Sequence, residues 1–284
     1  MAFTNSYFYS TSSVPKLFMK LAFGIEYDGS AYHGWQSQKH APSVQASLEK
    51  ALSIIADHDV RVHCAGRTDA GVHGKGQVVH IETDVIRKES SWLFGANANL
   101  PPDICVLWVK EVEDDFHARF SATRRVYQYL ILNRQSRSAL LNNRIVWERR
   151  SLSLIPMKEA AAYLVGTHNF SAYRTLTCQA KSPVRSIHRL ALKQHGPIIS
   201  LEIEANAFLH HMVRNIAGVL MEVGMERAKP EWAKEVLDGQ DRTKGGITAP
   251  PHGLYLMKVY YPEKFELPER DLVSPIPGFN LTPD

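Results

Sequence analysis

Cysteine is scarce in this 284-residue chain, with Cys64, Cys105 and Cys178 as its three examples. An odd number at wide spacing offers no disulfide framework and fits a reducing compartment, so the expected location is the cytoplasm. Long apolar runs are missing too. Nothing approaches the ~18 consecutive apolar residues that a membrane-spanning helix needs, so no membrane partner is expected. The opening MAFTNSYFYSTSSVPK has neither a basic start nor an apolar core. It makes a poor signal peptide, and residues 1–19 read as a flexible extension.

Several common chemistries lack their signatures. The stretch Cys64 to Thr83, CAGRTDAGVHGKGQVVHIET, has Gly66 and Gly71 at the spacing of a phosphate-cradling loop, but Val72 stands where lysine is required. The same glycines lie between two expected strands and not ahead of a helix, which excludes the dinucleotide fingerprint. His63, Cys64, His73 and His80 lie near one another in sequence without any C-x-x-C or H-E-x-x-H spacing. Strand alternation sends His63 and Cys64 to opposite faces. Neither a metal nor a cofactor is expected.

What is present is an ordinary globular composition, 44% hydrophobic and 22% charged. The overall charge of +4 is modest, but its distribution is uneven. Between Arg119 and Arg150 lie eight arginines (119, 124, 125, 134, 137, 144, 149, 150) and one acid, Glu148. Guanidinium in such excess suits a polyanion, because arginine pairs with phosphate through fixed bidentate geometry. A solvated basic face is the alternative.

Periodicity gives an order that repeats. The first half reads strand 21–29, helix 43–59, strands 60–66 and 77–83, helix 91–100 and strand 104–112. The second reads strand 124–133, helix 156–166, strands 184–194 and 197–206 across a His195-Gly196 hairpin, helix 208–224 and strand 254–262. Each half is β-α-β-β-α-β, the order of a ferredoxin-like unit. The expected class is α+β: two ferredoxin-like halves, 20–113 and 114–262, with antiparallel sheets, helices on one side and a basic cleft between. Prolines at 262, 268, 275, 277 and 283 mark 263–284 as a loose tail.

Within the glycine-rich bend, Asp69 is open to two readings. It is an ordinary turn residue bonded to its own backbone, which spacing alone favours, or an acid displayed at a strand exit. The wider sequence bears on the choice. GRTDAGVHGKGQVVHIET resembles the signature of the tRNA pseudouridine synthases that act on the anticodon stem-loop. YDGSAYHGWQSQ (27–38), FHARFSATRRVYQYLI (116–131), NFSAYR (169–174), CQAKSPVRSI (178–187) and FLHHMVRNIAGVLMEVG (208–224) are similar to further blocks of that family, in its order. The likeness runs from about Lys20 to Tyr261.

The resemblance implies isomerisation of uridine to pseudouridine in tRNA, at nucleotides thirty-eight to forty in the bacterial type, without metal, nucleotide or redox cofactor. It implies that Asp69 is the catalytic carboxylate and that Arg214 is its cationic partner. Tyr127 is the implied catalytic and uracil-binding tyrosine, its ring stacking on the base and its hydroxyl a candidate for the C5 proton, with Tyr129 as packing. Arg67 would hold the flipped nucleotide out of the stem. Arg87, the segment Phe116, His117, Ala118, Arg119 and Phe120, and the segment Thr177, Cys178, Gln179, Ala180 and Lys181 would contact RNA. A homodimer is implied as well. Trp35 and Gln36 are expected to buttress the active loop, and His210 and His211 to be core or rim residues. Two rival classes share these features: a tRNA-binding module or chaperone without catalysis, and a glycosylase that releases free uracil.

Overall fold

The computed structural model describes residues 18–269. All but the last two residues of the expected extension, and the tail beyond residue 269, lie outside the described residues. Residues 263–269 are described, and Phe265 is buried there, edge-on to Phe116 with ring centroids 5.0 Å apart.

The first half contains β1 (Met19–Tyr27), α1 (Val44–Ala56), β2 (His63–Cys64), β3 (His73–Thr83), α2 (Glu89–Asn99) and β4 (Ile104–Val112). The second contains β5 (Arg124–Asn133), β6 (Val146–Glu148), α3 (Leu154–Ala162), β7 (Gly166–Asn169), β8 (Val184–His195), β9 (Ile198–Ala205), α4 (Met212–Gly224), α5 (Trp232–Gly239) and β10 (Leu254–Tyr260). Local chemistry accounts for these limits. The Ser43 hydroxyl accepts from the Ala46 amide to cap α1, whose buried Val44, Leu48, Ala51 and Leu52 follow helical spacing. The hairpin of β8 and β9 turns at Gly196, where φ is +55°.

The strands form one sheet in the order β4-β1-β3-β10-β5-β9-β8-β7, with β2 on β3 and β6 on β5. Within the first half β1, β3, β4 and β2 pair antiparallel; within the second β5, β8, β9 and β10 do the same. The sequence suggested a pair of sheets. The two edges instead meet in a short parallel pairing, Tyr255 with His73 and Leu256 with Gly74, which satisfies backbone groups that a free edge would leave to solvent.

Strand β5 is buried on both faces. Tyr127, Tyr129 and Ile131 enter the core covered by α3, α4 and α5. Val126, Leu130 and Leu132 enter a smaller cluster with Ile145, Tyr255 and Met257 on the other face. Helices α1 and α2 cover Leu21, Phe23 and Ile25 of β1.

The remaining differences from the periodicity are local. The strand expected over 60–66 shrinks to two residues because the Val60 and Val62 amides bond to the Ser53 hydroxyl and the Glu49 carboxylate, not to a neighbouring strand. Strand β3 begins at His73 and runs through Gly74 and Gly76. A Cβ at Gly76 would lie 2.2 Å from the Met257 carbonyl oxygen, so close sheet packing explains that glycine. The short β6, β7 and α5 have no counterpart in the sequence reading.

Candidate active site

The acid-bearing loop, residues 65–72, leaves β2 and turns back into β3, and its backbone is held at nearly every residue. The Ala65 amide donates to the Val78 carbonyl at 2.8 Å. The Gln77 amide group donates to the Gly66 carbonyl at 2.7 Å. Thr68 is gripped twice: its hydroxyl shares a 2.8 Å hydrogen bond with the Tyr27 hydroxyl, and its carbonyl accepts from the Trp35 amide at 3.0 Å. The Asp69 carbonyl accepts from Val72 at 3.1 Å, so Asp69 is a turn residue in its backbone. Gly34, at φ +92°, lets the 29–35 segment lie against this turn, since a Cβ there would fall 2.7 Å from the Thr68 carbonyl oxygen.

Arg125 secures the loop from below. Its buried guanidinium donates to the carbonyls of Ala65, Arg119, Ala122 and Asn206, at 2.9 to 3.3 Å. One β5 side chain thereby ties the acid loop to the 116–120 segment and to the chain that leads into α4. Burial without a carboxylate partner pulls this guanidinium below its ordinary pKa.

The side chain of Asp69 points across the junction of the halves, to the start of α4. Arg214 donates through Nη1 to Asp69 Oδ2 at 3.0 Å and through Nε to the Ala249 carbonyl at 2.8 Å. The Ala249 amide in turn donates to the Arg214 carbonyl at 3.1 Å. His211 takes the left-handed conformation, φ 63°, immediately before the helix. Both imidazoles face the carboxylate: His210 Nε2 is 3.3 Å from Oδ1 and His211 Nε2 is 3.4 Å from Oδ2. The acid and guanidinium side chains are 20% and 13% exposed, against 45% for His210 and 28% for His211, so the imidazoles form the open side of the cluster. Burial lowers the pKa of His211, opposed by Asp69 and reinforced by Arg214, His210 and Arg242.

Tyr127 forms the adjoining wall. It is buried, with its ring edge-on to Phe208 at 5.0 Å. A Cβ built on Gly66 would lie 3.9 Å from its hydroxyl, which therefore faces the acid loop. Burial raises its pKa well above that of free tyrosine; Arg125 opposes the rise and Asp69 adds to it. Tyr129 is fully buried and donates to the Pro250 carbonyl at 2.8 Å, as its packing role requires.

A half-buried carboxylate in contact with a permanent cation, beside an aromatic wall and open on one side, suits nucleophilic or base chemistry on a flat, uncharged ring. The ligand atoms of Asp69, His210 and His211 lie within 4.8 Å of one another, a spacing that would also admit a metal ion. The guanidinium already supplies a positive charge to the acid. Elsewhere His73 and His80 are otherwise engaged: their Nδ1 atoms accept from the Gly29 and Ala118 amides.

The family model described as tRNA pseudouridine synthase matches residues 25–121 and 160–262. The chain is 55% identical over 250 residues to tRNA pseudouridine synthase A of Nitrosococcus oceani, covering 88% of this chain and 96% of that one. Identity to the proteins of the same name from Alcanivorax borkumensis and Pseudomonas aeruginosa is 54% and 55%, each over 89% of this chain and over 95% and 89% of theirs. The chain belongs to the tRNA pseudouridine synthase family.

Around the acid of this pseudouridine synthase, the other sequence-derived candidates separate clearly. Arg67 is exposed beside it, with no ion pair or hydrogen bond among the described residues. In the 116–120 segment, Phe116 and Ala118 are fully buried, and the Ala118 amide and carbonyl are taken by His80 and Tyr261. Their side chains belong to the core. Arg119 and Phe120 are exposed, and Phe120 lies against the His117 ring with centroids 4.3 Å apart. Of the second segment, Thr177, Gln179 and Lys181 are exposed, while Cys178 and Ala180 pack partly on the core. This loop adjoins the site, because the Thr175 amide donates to the His210 carbonyl at 3.1 Å.

Arg87 is exposed beyond the far end of β3 and forms no ion pair or hydrogen bond with the cluster among the described residues. The arginine-rich run is also less open than its composition suggests. Arg124, Arg144 and Arg150 pair with Glu204, Asp28 and Glu148, and Arg125 is the buried clamp. Trp35 supports the loop as expected, whereas Gln36 is exposed. The sequence reading places His210 and His211 at the core or rim and gives them no contact with the acid; they stand at the rim, facing it. The signal available was their place one turn before Arg214.

Proposed function

We propose that this chain isomerises uridine to pseudouridine in tRNA, in the anticodon stem-loop at nucleotides thirty-eight to forty, with Asp69 as the catalytic carboxylate. The observation that carries this reading is the contact of Asp69 with Arg214 across the junction of the halves, at 3.0 Å, in a chain of this family. Arg214 balances the charge of the acid as N1–C1′ breaks and the uracil leaves. The base turns while bound against Tyr127, and C5 joins C1′. Arg67 occupies the place of the everted nucleotide, and Arg119, Phe120, Thr177, Gln179 and Lys181 hold the neighbouring RNA. The protein works as a homodimer in the cytoplasm, a reading supported by the family resemblance and by three cysteines without a disulfide.

The test is to incubate purified protein with an unmodified tRNA transcript and map the products. Pseudouridine at nucleotides thirty-eight to forty is expected. Free uracil would identify a glycosylase, and bound but unchanged tRNA would identify a binding module; either outcome overturns the proposal.

A further inference from the structure

The isomerisation ends with a proton out of place. When C5 has joined C1′, C5 still carries its hydrogen and N1 carries none, whereas pseudouridine has the reverse. Some group must take the C5 proton, and N1 must receive one. The C5 hydrogen is acidified by the adjacent carbonyl and the N1=C6 double bond, so a neutral imidazole is a strong enough base for it.

The side chains in contact with the Asp69 carboxylate, among the described residues, are Arg214, His210 and His211. Arg214 is permanently protonated and cannot accept. Tyr127 is buried with its ring edge-on to Phe208, and among the described residues its hydroxyl makes no hydrogen bond to the carboxylate. The imidazoles remain, and geometry separates them. Arg214 and His211 both lie on Oδ2, at 3.0 and 3.4 Å, while His210 alone faces Oδ1, at 3.3 Å. His210 is also the most exposed member of the cluster, where a docked base has access to it.

We propose that His210 is the proton relay of the last step. Its ring accepts the C5 proton, Asp69 Oδ1 at 3.3 Å stabilises the charge so formed, and the ring returns a proton to N1, so that the enzyme ends unchanged. His211, whose ring centroid is 4.1 Å from that of His210, positions the pair and does not carry the proton. This inference rests on the isomerase reading above.

The experiment compares single turnovers on tRNA transcripts containing ordinary uridine or uridine deuterated at C5. In the wild-type protein the two substrates are expected to react alike, an earlier step limiting the rate. In His210→Gln the last step becomes limiting: the rate falls by about 10²-fold or more, and a severalfold deuterium isotope effect appears. Added imidazole restores the rate and removes the effect. His210→Asn behaves in the same way, and tRNA binding by both variants confirms that they fold. Equal rates for the two substrates in both variants would overturn the proposal, as would an isotope effect that appears in Tyr127→Phe or His211→Gln instead. If the wild-type protein forms no pseudouridine, the isomerase reading itself fails, which is a separate result.

Discussion

Arg214 meets two needs with one planar group, reaching Asp69 through Nη1 and the Ala249 carbonyl through Nε. Lysine has the charge but not the fork, so it can satisfy one partner well and not both. Arg214→Lys should therefore fold and bind tRNA while single-turnover pseudouridine formation falls by about 10²-fold. A wild-type rate in that variant would remove Arg214 from the chemistry. At this scale the sequence was legible where a residue type is unusual in its setting. An acid framed by Gly66 and Gly71 invites attention, but its partner 145 residues away was reached through family resemblance. His210 and His211 read as core or rim residues because histidines beside an apolar helix face usually pack there, and the sequence carries no sign of their contact with Asp69. His211 is left-handed just before α4, and both rings face Asp69 there.

Helix α4 sets where Arg214 stands, and Gly218, one turn further on, sets what lies over the helix. A Cβ at Gly218 would fall 1.9 Å from the Ile247 carbonyl oxygen, a backbone atom with little room to move. Gly218→Ala should lift the 247–249 segment, cost about 3 kcal/mol in urea unfolding, and weaken activity through Ala249, which holds Arg214 at both its amide and its carbonyl. An unchanged unfolding midpoint would show that the contact is not this tight. Most long elements, such as β5 and α1, fall where periodicity placed them, because an extended apolar pattern outweighs local accidents. The two-residue β2 and the short β6 and β7 were not legible in the same way. They exist because neighbours supply hydrogen bonds, and single-sequence patterns carry no record of those neighbours.

Across the whole molecule several buried histidines favour the neutral form. Burial, with His117, His63 and Lys20 nearby, pushes His80 down to about 3, and the Ala118 amide bonds to its unprotonated nitrogen. The unfolded chain takes up that proton near pH 6.5, so between about 3 and 6.5 the unfolded state binds more protons. Stability is complete above this window and declines as the pH falls through it. His73, His117, His211 and His252 shift in the same direction. The urea midpoint should therefore drop from pH 7 to pH 5, and less steeply in His80→Gln; equal slopes would contradict this assignment. The α+β class was readable from the repeated element order. The joining of the halves through β3 and β10 was not, because a two-residue parallel pairing leaves no pattern in sequence.

The central claim is that the carboxylate of Asp69, and not RNA binding alone, makes this chain an isomerase. Asp69→Asn keeps the shape and removes the charge. Measured together, its pseudouridine yield in a single turnover and its affinity for tRNA should separate, with no pseudouridine detected and binding close to wild type. Continued formation of pseudouridine by that variant would contradict the account.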